Sequence, residues 1–377
     1  MPAPPVTWLV TGFPAFPARA LVRELVHGEE PARVHLLVPG DRGAEAEAFV
    51  RELRPLGSSV HLLEGDAMRM DLGLPGRQYV ALAREVDVLA NLYDVSPLPD
   101  GGDEGYGGLY GKLGEPEELT VRAVEEALEF AAAAAPRLRQ LVQLGSLTVA
   151  GDHDGVWTEE DLSAGQRHRS EAERCRHRAE RLLWRERDRV PFTIVRVGPL
   201  LGDSRTGEMG WYHGPYDLAE LLLALPLYPV RSRVRPPAGL HVVPVDHAAR
   251  VMRAVGLAPP ERSGALHVAP PERVPLARLR EALEAGGGGP PRLPRALRER
   301  LRRRWGAGAA AVARSLWRID TPAAISIRRA LDVERAAGLV QPRPADYLPH
   351  VAAHVRARIA AEIRRATEAG VEDALDG

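Results

Sequence analysis

Trp8-Leu9-Val10-Thr11-Gly12-Phe13-Pro14-Ala15-Phe16-Pro17-Ala18-Arg19-Ala20-Leu21-Val22 reads as an apolar strand, a tight turn and an amphipathic helix. That order opens a dinucleotide-binding α/β fold, whose turn has the form Thr-Gly-x-x-Gly-x-x-Gly. Only Gly12 of the three glycines is present; Ala15 and Ala18 stand at the second and third places. The first glycine makes the turn, the second lets backbone N–H groups approach a pyrophosphate, and the third lets helix and strand pack closely. Alanine at the third place costs little, whereas at the second it adds a methyl where phosphate oxygens would sit. Pro14 and Pro17 each remove an N–H donor, although proline is tolerated in a first helical turn. The turn therefore predicts a weakened dinucleotide site at Thr11, Gly12, Phe13, Phe16 and Pro17. It also reads, more blandly, as a proline-rich turn that only starts a helix.

Alternation continues outward from this unit. Strands are predicted at 6–10, Arg33 to Val38, Ser59 to Glu64, Val86 to Leu92, Gln140 to Leu144 and Phe192 to Val197. Helices are predicted between them at 16–27, Ala44 to Leu56, Gln78 to Glu85, Glu117 to Ala135 and Leu162 to Arg187. The pattern predicts a doubly wound α/β Rossmann-type parallel sheet with helices on both faces. Residues 94–116 interrupt it with a Gly-, Pro- and Asp-rich loop that Tyr93, Tyr106 and Tyr110 can anchor. After about residue 205 the pattern shifts: helices at Tyr216 to Leu225, Asp246 to Gly256 and Leu276 to Glu284, and strands at His241 to Val245 and Gly264 to Val268. Three regions follow: a Rossmann-type domain over 1–205, a smaller α-rich substrate-type region over 206–285 interleaved with it, and a basic, mainly helical extension over 286–377.

The bulk properties narrow the partners. The 377 residues carry a net charge of −1, which argues against whole-chain attraction to nucleic acid or membrane. The single cysteine, Cys175, excludes a disulfide framework and fits a reducing cytoplasm. No apolar run approaches a membrane span, and no signal peptide is visible. Lys112 is the only lysine among 50 basic residues, a bias of the kind a GC-rich genome imposes. The stretch 292–304 holds seven arginines and one glutamate. It reads as a solvated helix face or lid; its leucines also allow contact with anionic lipid, and nothing else on the chain is basic enough to make it a nucleic-acid site.

A distributed set of short motifs accompanies the alternation. Thr11-Gly12 opens the fold, Gly65-Asp66 ends the third strand, and Asp71-Leu72-Gly73-Leu74 follows. Gly145-Ser146 ends the fifth strand, with Val149-Ala150-Gly151-Asp152 behind it; Gly165-Gln166 and Ala179-Glu180 come next. Arg196-Val197-Gly198-Pro199, the run Gly202-Asp203-Ser204-Arg205-Thr206-Gly207-Glu208, and Val243-Pro244-Val245-Asp246 complete the set. Together these motifs resemble the extended short-chain dehydrogenase/reductase family, in its thioester-reductase and fatty-acyl-reductase-like branch, over roughly residues 6–285.

The resemblance implies NAD or NADP as cofactor, with Asp66 and Ala67 at the adenine, and a catalytic Tyr followed four residues later by Lys on one helix face. The Ala179-Glu180 anchor puts Ala172 at the Tyr position and Arg176 at the Lys position. Ser146 keeps the Ser/Thr position, and Thr120 stands for the structural Asn. Ala172 has no proton to give, and the guanidinium of Arg176 would reach the nicotinamide ribose with a different geometry from an ammonium. The preference between NAD and NADP stays open, because Asp41 is late for an NAD-type acid and Arg42 is only the nearest NADP-type arginine.

Other residues carry two readings each. His168 and His177, placed on the same predicted helix as Ala172, are either solvated members of an Arg-rich face or a substitute acid. Tyr93 reads as packing or as a site residue, Asp203, Arg205 and Glu208 as a pinned loop or a substrate contact, and Cys175 as a buried thiol. No histidine or cysteine shows metal-ligand spacing. Two functions remain. One is a non-catalytic, reductase-like pseudoenzyme that binds a dinucleotide and serves as a sensor, scaffold or partner subunit, including pairing with a second copy. The other is an NAD(P)-dependent oxidoreductase that acts on an acyl thioester, aldehyde or sugar-like carbonyl with a displaced acid.

Overall fold

The structure, a computed structural model, describes residues 5–53, 58–93, 116–209, 239–258, 263–285 and 319–375. Seven parallel strands form one sheet: β1 (Val6–Thr11), β2 (Ala32–Val38), β3 (Ser59–Glu64), β4 (Val88–Asn91), β5 (Gln140–Ser146), β6 (Phe192–Val197) and β7 (Gly264–Val268). Their order is β7-β6-β5-β4-β1-β2-β3, so the chain winds outward in both directions from the β1–β4 junction. At that switch point the crevice beyond the carboxyl ends of the strands is where a doubly wound sheet binds ligands. The predicted fold class is the one observed.

Helices cover both faces. On one lie α1 (Phe16–His27) and α2 (Gly43–Leu53); on the other lie α3 (Gly76–Ala83), α4 (Pro116–Ala133) and α5 (Glu171–Arg185). Alternate strand residues divide between the two cores: Trp8 and Val10 face α1, while Leu9 joins Leu89, Leu141 and Ile194 on the α4–α5 side. Helix α6 (Val245–Leu257) packs on α1. Helix α7 (Leu276–Glu284) is as predicted, α8 (Arg328–Ala336) packs against β7, and α9 (Pro344–Leu375) lies against α7.

Three expectations are corrected. The helix predicted over 162–187 forms only over Glu171–Arg185. Ser170 caps it, its hydroxyl accepting the Glu173 N–H at 3.2 Å, while the Glu173 carboxylate takes the Arg169 N–H at 2.6 Å. Upstream, Gly165 turns left-handed at φ +81° and the Gln166 side chain bonds the carbonyls of Val149 and Leu162, which holds 162–170 irregular. His168 is thus outside the helix that carries Ala172 and His177. The strand expected over 241–245 shrinks to Val243–Pro244, because helix α6 starts at Val245 directly after the proline. The strand expected over 86–92 is Val88–Asn91. The predicted loop at 94–116 (residues 94–115 of it), the helix at 216–225 and the basic run 292–304 lie outside the described residues.

Candidate functional site

The carboxyl edge of the sheet brings together the ends of β1, β3 and β5, and with them most of the residues singled out above. Gly12 follows β1 with φ +88°, and a Cβ there would lie 2.6 Å from the Leu92 carbonyl carbon after β4. Only glycine fits both the left-handed backbone and that approach. The Ala15 N–H closes the turn on the Gly12 carbonyl at 2.8 Å, the Phe13–Pro14 peptide is cis, and α1 begins at Phe16 with Pro17 in its first turn. The helix N-terminus thus offers the Phe16 and Ala18 N–H groups but none at position 17.

Two residues of this turn face inward. Thr11 is buried and donates its hydroxyl to Asn91 Oδ1 at 2.6 Å; Asn91 Nδ2 continues to Gln143 Oε1 at 2.8 Å. This chain of amides ties β1, β4 and β5 together just beneath the crevice. The Phe13 ring is buried 5.7 Å from that of Phe49 on α2. The Arg19 guanidinium lies 5.3 and 4.9 Å from the two ring centroids and pairs with Glu45 at 3.1 Å. Arg42, the nearest candidate for a 2′-phosphate, lies 3.4 Å from the same Glu45 and 3.7 Å from Asp41. The Phe13–Arg19–Phe49 stack was not read from the sequence; a bulky ring directly after Gly12 was its one signal.

After β3, Asp66 donates its N–H to the Leu72 carbonyl at 2.8 Å and accepts the Met68 N–H on Oδ1 at 3.0 Å, with Ala67 buried between. Asp71, Leu72 and Gly73 are left-handed in succession, with φ of 55°, 57° and 67°. Two non-glycine residues in that region store strain of about 1 kcal/mol or more each. The short segment Asp71-Leu72-Gly73-Leu74 is therefore the turn that returns the chain onto Asp66.

Across the switch point, Ser146 ends β5. Its hydroxyl lies 2.9 Å from Thr148 Oγ1 and accepts the Thr148 N–H at 3.2 Å. Arg176 on α5 donates from Nη1 to Thr148 Oγ1 at 3.4 Å. Ser146 and Arg176 thus meet through Thr148, which sequence reading passed over. Ala172, one turn earlier, is buried. On either side of it Arg169 and Glu173 pair at 2.8 Å, and Arg169 reaches the Asp320 carbonyl at 2.6 Å, tying the segment before α8 to the start of α5. Asp320 in turn pairs with Arg273. The His168 and His177 rings sit 4.7 Å apart, and His177 Nε2 lies 3.1 Å from Ser163 Oγ. Burial and the neighbouring His168 push the His177 pKa down. Tyr93 is buried in the core beside Leu9 and Leu89, and Cys175 is buried.

The remaining motif residues support the frame. Glu180 and Arg196 form a buried ion pair at 2.7 Å. Arg196 also contacts His267 Nε2 at 3.0 Å, while His267 Nδ1 lies 2.8 Å from the Ser326 carbonyl. A carbonyl only accepts, so Nδ1 carries the proton and Nε2 accepts from the guanidinium. Burial and the Arg196 charge bring the His267 pKa down to about 3. Glu159 receives the Arg329 and Ala330 N–H groups at the start of α8 and the His267 N–H at 3.3 Å. Gly198 is where the His241 carbonyl crosses, with no room for a Cβ. Asp246 accepts the Ser204 N–H at 2.8 Å and pairs with Arg250 at 2.7 Å. Asp203 accepts the Arg205 and Thr206 N–H groups, so Asp203 pins its loop. Among the described residues no group of histidine, cysteine, aspartate or glutamate could hold a metal ion, and no helix is long and apolar enough to cross a membrane.

The fold and part of the sequence match known proteins. Residues 110–252 match the family described as Male sterility protein. No curated protein matches the chain in sequence. Among solved structures, the terminal R domain of the myxalamid PKS-NRPS biosynthetic pathway superposes with a TM-score of 0.70 at 19% identity, covering 95% of this chain and 92% of that one. The reductase domain of a non-ribosomal peptide synthetase from Mycobacterium tuberculosis gives 0.67 at 20% identity, covering 94% and 92%. Yeast methylglyoxal/isovaleraldehyde reductase Gre2, complexed with NADPH, gives 0.60 at 14% identity, covering 93% and 98%. The resemblance carried by the motifs therefore holds: in fold over nearly its whole length, and in sequence over residues 110–252, the chain is similar to the thioester-reductase and fatty-acyl-reductase-like branch of the extended short-chain dehydrogenase/reductases.

Proposed function

We propose that the chain binds NAD or NADP at the carboxyl edge of its sheet and lacks the proton donor that would make it an efficient reductase. The observation that carries this is the pairing of a kept turn with a changed helix. Gly12 has the left-handed approach to Leu92, whereas the motif resemblance, anchored on Ala179-Glu180, assigns Ala172 and Arg176 to the places of a Tyr–Lys pair. Thr11, Gly12, Phe13, Phe16 and Pro17 would cradle the pyrophosphate end, Asp66 and Ala67 the adenine, and Arg176 the nicotinamide ribose. The bound dinucleotide would supply a hydride; this chain's own part is to orient it and to offer hydrogen bonds from Ser146 and Thr148 to a carbonyl oxygen. With Ala172 in place of a phenol, position 172 has no group to hand a proton to the oxygen.

Such a protein serves as a dinucleotide-dependent sensor, scaffold or partner subunit, alone or paired with another copy. The division at about residues 205 and 285 remains part of this proposal. Fluorescence titration with NADPH and NADH tests it. Saturable binding in the wild type that disappears in Gly12→Val supports the reading; no binding of either dinucleotide contradicts it.

A further inference from the structure

We propose that the chain takes NAD(H) in preference to NADP(H), and that Glu45 and Glu64, beside the carboxyl end of β2, set that preference. The inference rests on the dinucleotide reading above and deepens it. The two cofactors differ only in a phosphate on the adenosine 2′ oxygen, and in a doubly wound fold that oxygen lies beside the end of the second strand. A free 2′ hydroxyl is served by a carboxylate, which accepts its hydrogen bond. A 2′-phosphate, with about two negative charges, is served by a guanidinium that can turn toward it.

The two arginines that meet beside the end of β2 are already committed. Glu45, in the first turn of α2, takes Arg19 Nη2 on one carboxylate oxygen at 3.1 Å and Arg42 Nη1 on the other at 3.4 Å. Arg42 Nε also lies 3.7 Å from Asp41, and the Arg19 guanidinium rests against the rings of Phe13 and Phe49. A 2′-phosphate recruits Arg42 only by breaking its pair with Glu45, and then lies beside the carboxylate it has released. The uncommitted charge there has the wrong sign for a phosphate. Glu64 ends β3 opposite Val38, and its carboxylate folds over Gly40, where a Cβ would lie 2.8 Å from Glu64 Oε1. Among the described residues Glu64 makes no ion pair and no side-chain hydrogen bond. Three carboxylates, Asp41, Glu45 and Glu64, thus stand against two guanidiniums, so a phosphate meets like charge and a hydroxyl meets acceptors. The turn after β1 serves the pyrophosphate of both cofactors, so NADPH still binds, but more weakly.

Fluorescence titration of the purified chain with NADH and with NADPH, at an ionic strength of about 0.02 M, tests the assignment. NADH is expected to bind about tenfold tighter. Glu64→Gln keeps the size of the side chain, removes its charge, and is expected to shrink that ratio about threefold. Glu45→Gln unclamps both arginines and is expected to bring NADPH level with NADH or ahead of it. Raising the salt to about 0.2 M is expected to narrow the wild-type ratio, because Glu64 is exposed and its charge is screened. Thermal melting of each variant checks that it folds. Equal affinities in the wild type, tighter binding of NADPH, or a ratio that survives unchanged in both Glu64→Gln and Glu45→Gln would each overturn this proposal and leave dinucleotide binding standing. Binding of neither cofactor would overturn the dinucleotide reading and this proposal with it.

Discussion

The two ends of helix α5 have been treated differently. At its carboxyl half, Ala179 packs in the core and Glu180 holds Arg196 in a pair from which water is excluded. At its amino half lie Ala172 and Arg176, which we propose stand at the Tyr and Lys positions of the resembled enzymes. The same contrast runs through the first turn, where Gly12 keeps its backbone role while Pro17 has given up a donor. The lesson is that the frame and the chemistry are separable. Residues that satisfy buried charge or permit close backbone approach cannot change without a cost in stability. Residues that act only on a ligand can.

The strongest break of this contrast is Glu180→Ala, which strands the Arg196 charge at zero exposure. A loss of about 3–5 kcal/mol is expected in urea denaturation, against less than about 1 kcal/mol for Arg176→Met at the other end of the helix. Gly12→Ala adds a Cβ 2.6 Å from the Leu92 carbonyl carbon in a left-handed residue. It should cost about 2 kcal/mol by the same measurement.

Acid should weaken the frame beneath α5. Burial holds His267 down at about 3 and His241 at about 4, whereas both titrate near 6.5 in an unfolded chain. Below that pH the unfolded chain takes up protons that the native chain refuses, so stability is full above about pH 6.5 and falls as the pH drops toward 4. Each histidine contributes a slope of about 1.4 kcal/mol per pH unit, and His267→Gln should make the fall shallower by one such share. The smallest effect sharpens the comparison in the turn: Pro17→Leu restores a helix N-terminal N–H and should tighten NADPH about fivefold, read by fluorescence titration.

Much of this was legible in the chain itself. The strand at Gly264–Val268 and the helix at Leu276–Glu284 match their expected bounds, because clear apolar runs and flanking prolines or glycines mark both ends. The start of α5 was misplaced because its charged, alanine-rich surroundings look helical throughout; the Ser170–Glu173 cap is a four-residue signal inside that noise. Thr148 could not be singled out, since its role depends on a short turn that folds it back over Ser146. The Phe13–Arg19–Phe49 stack depends on how α1 and α2 lie side by side on one face of the sheet, and the Arg196–His267–Glu159 network joins residues up to 108 positions apart. Local pattern carries neither.

The most direct test of the central claim measures NADPH oxidation by the wild-type chain at saturating NADPH, with aldehydes of four to ten carbons, between pH 6 and 9. A protein that binds the dinucleotide but lacks a proton donor at position 172 should consume no NADPH above background at any pH. Turnover at an ordinary enzymatic rate, on the order of 1–10 per second, would contradict the account and show that another group supplies the proton.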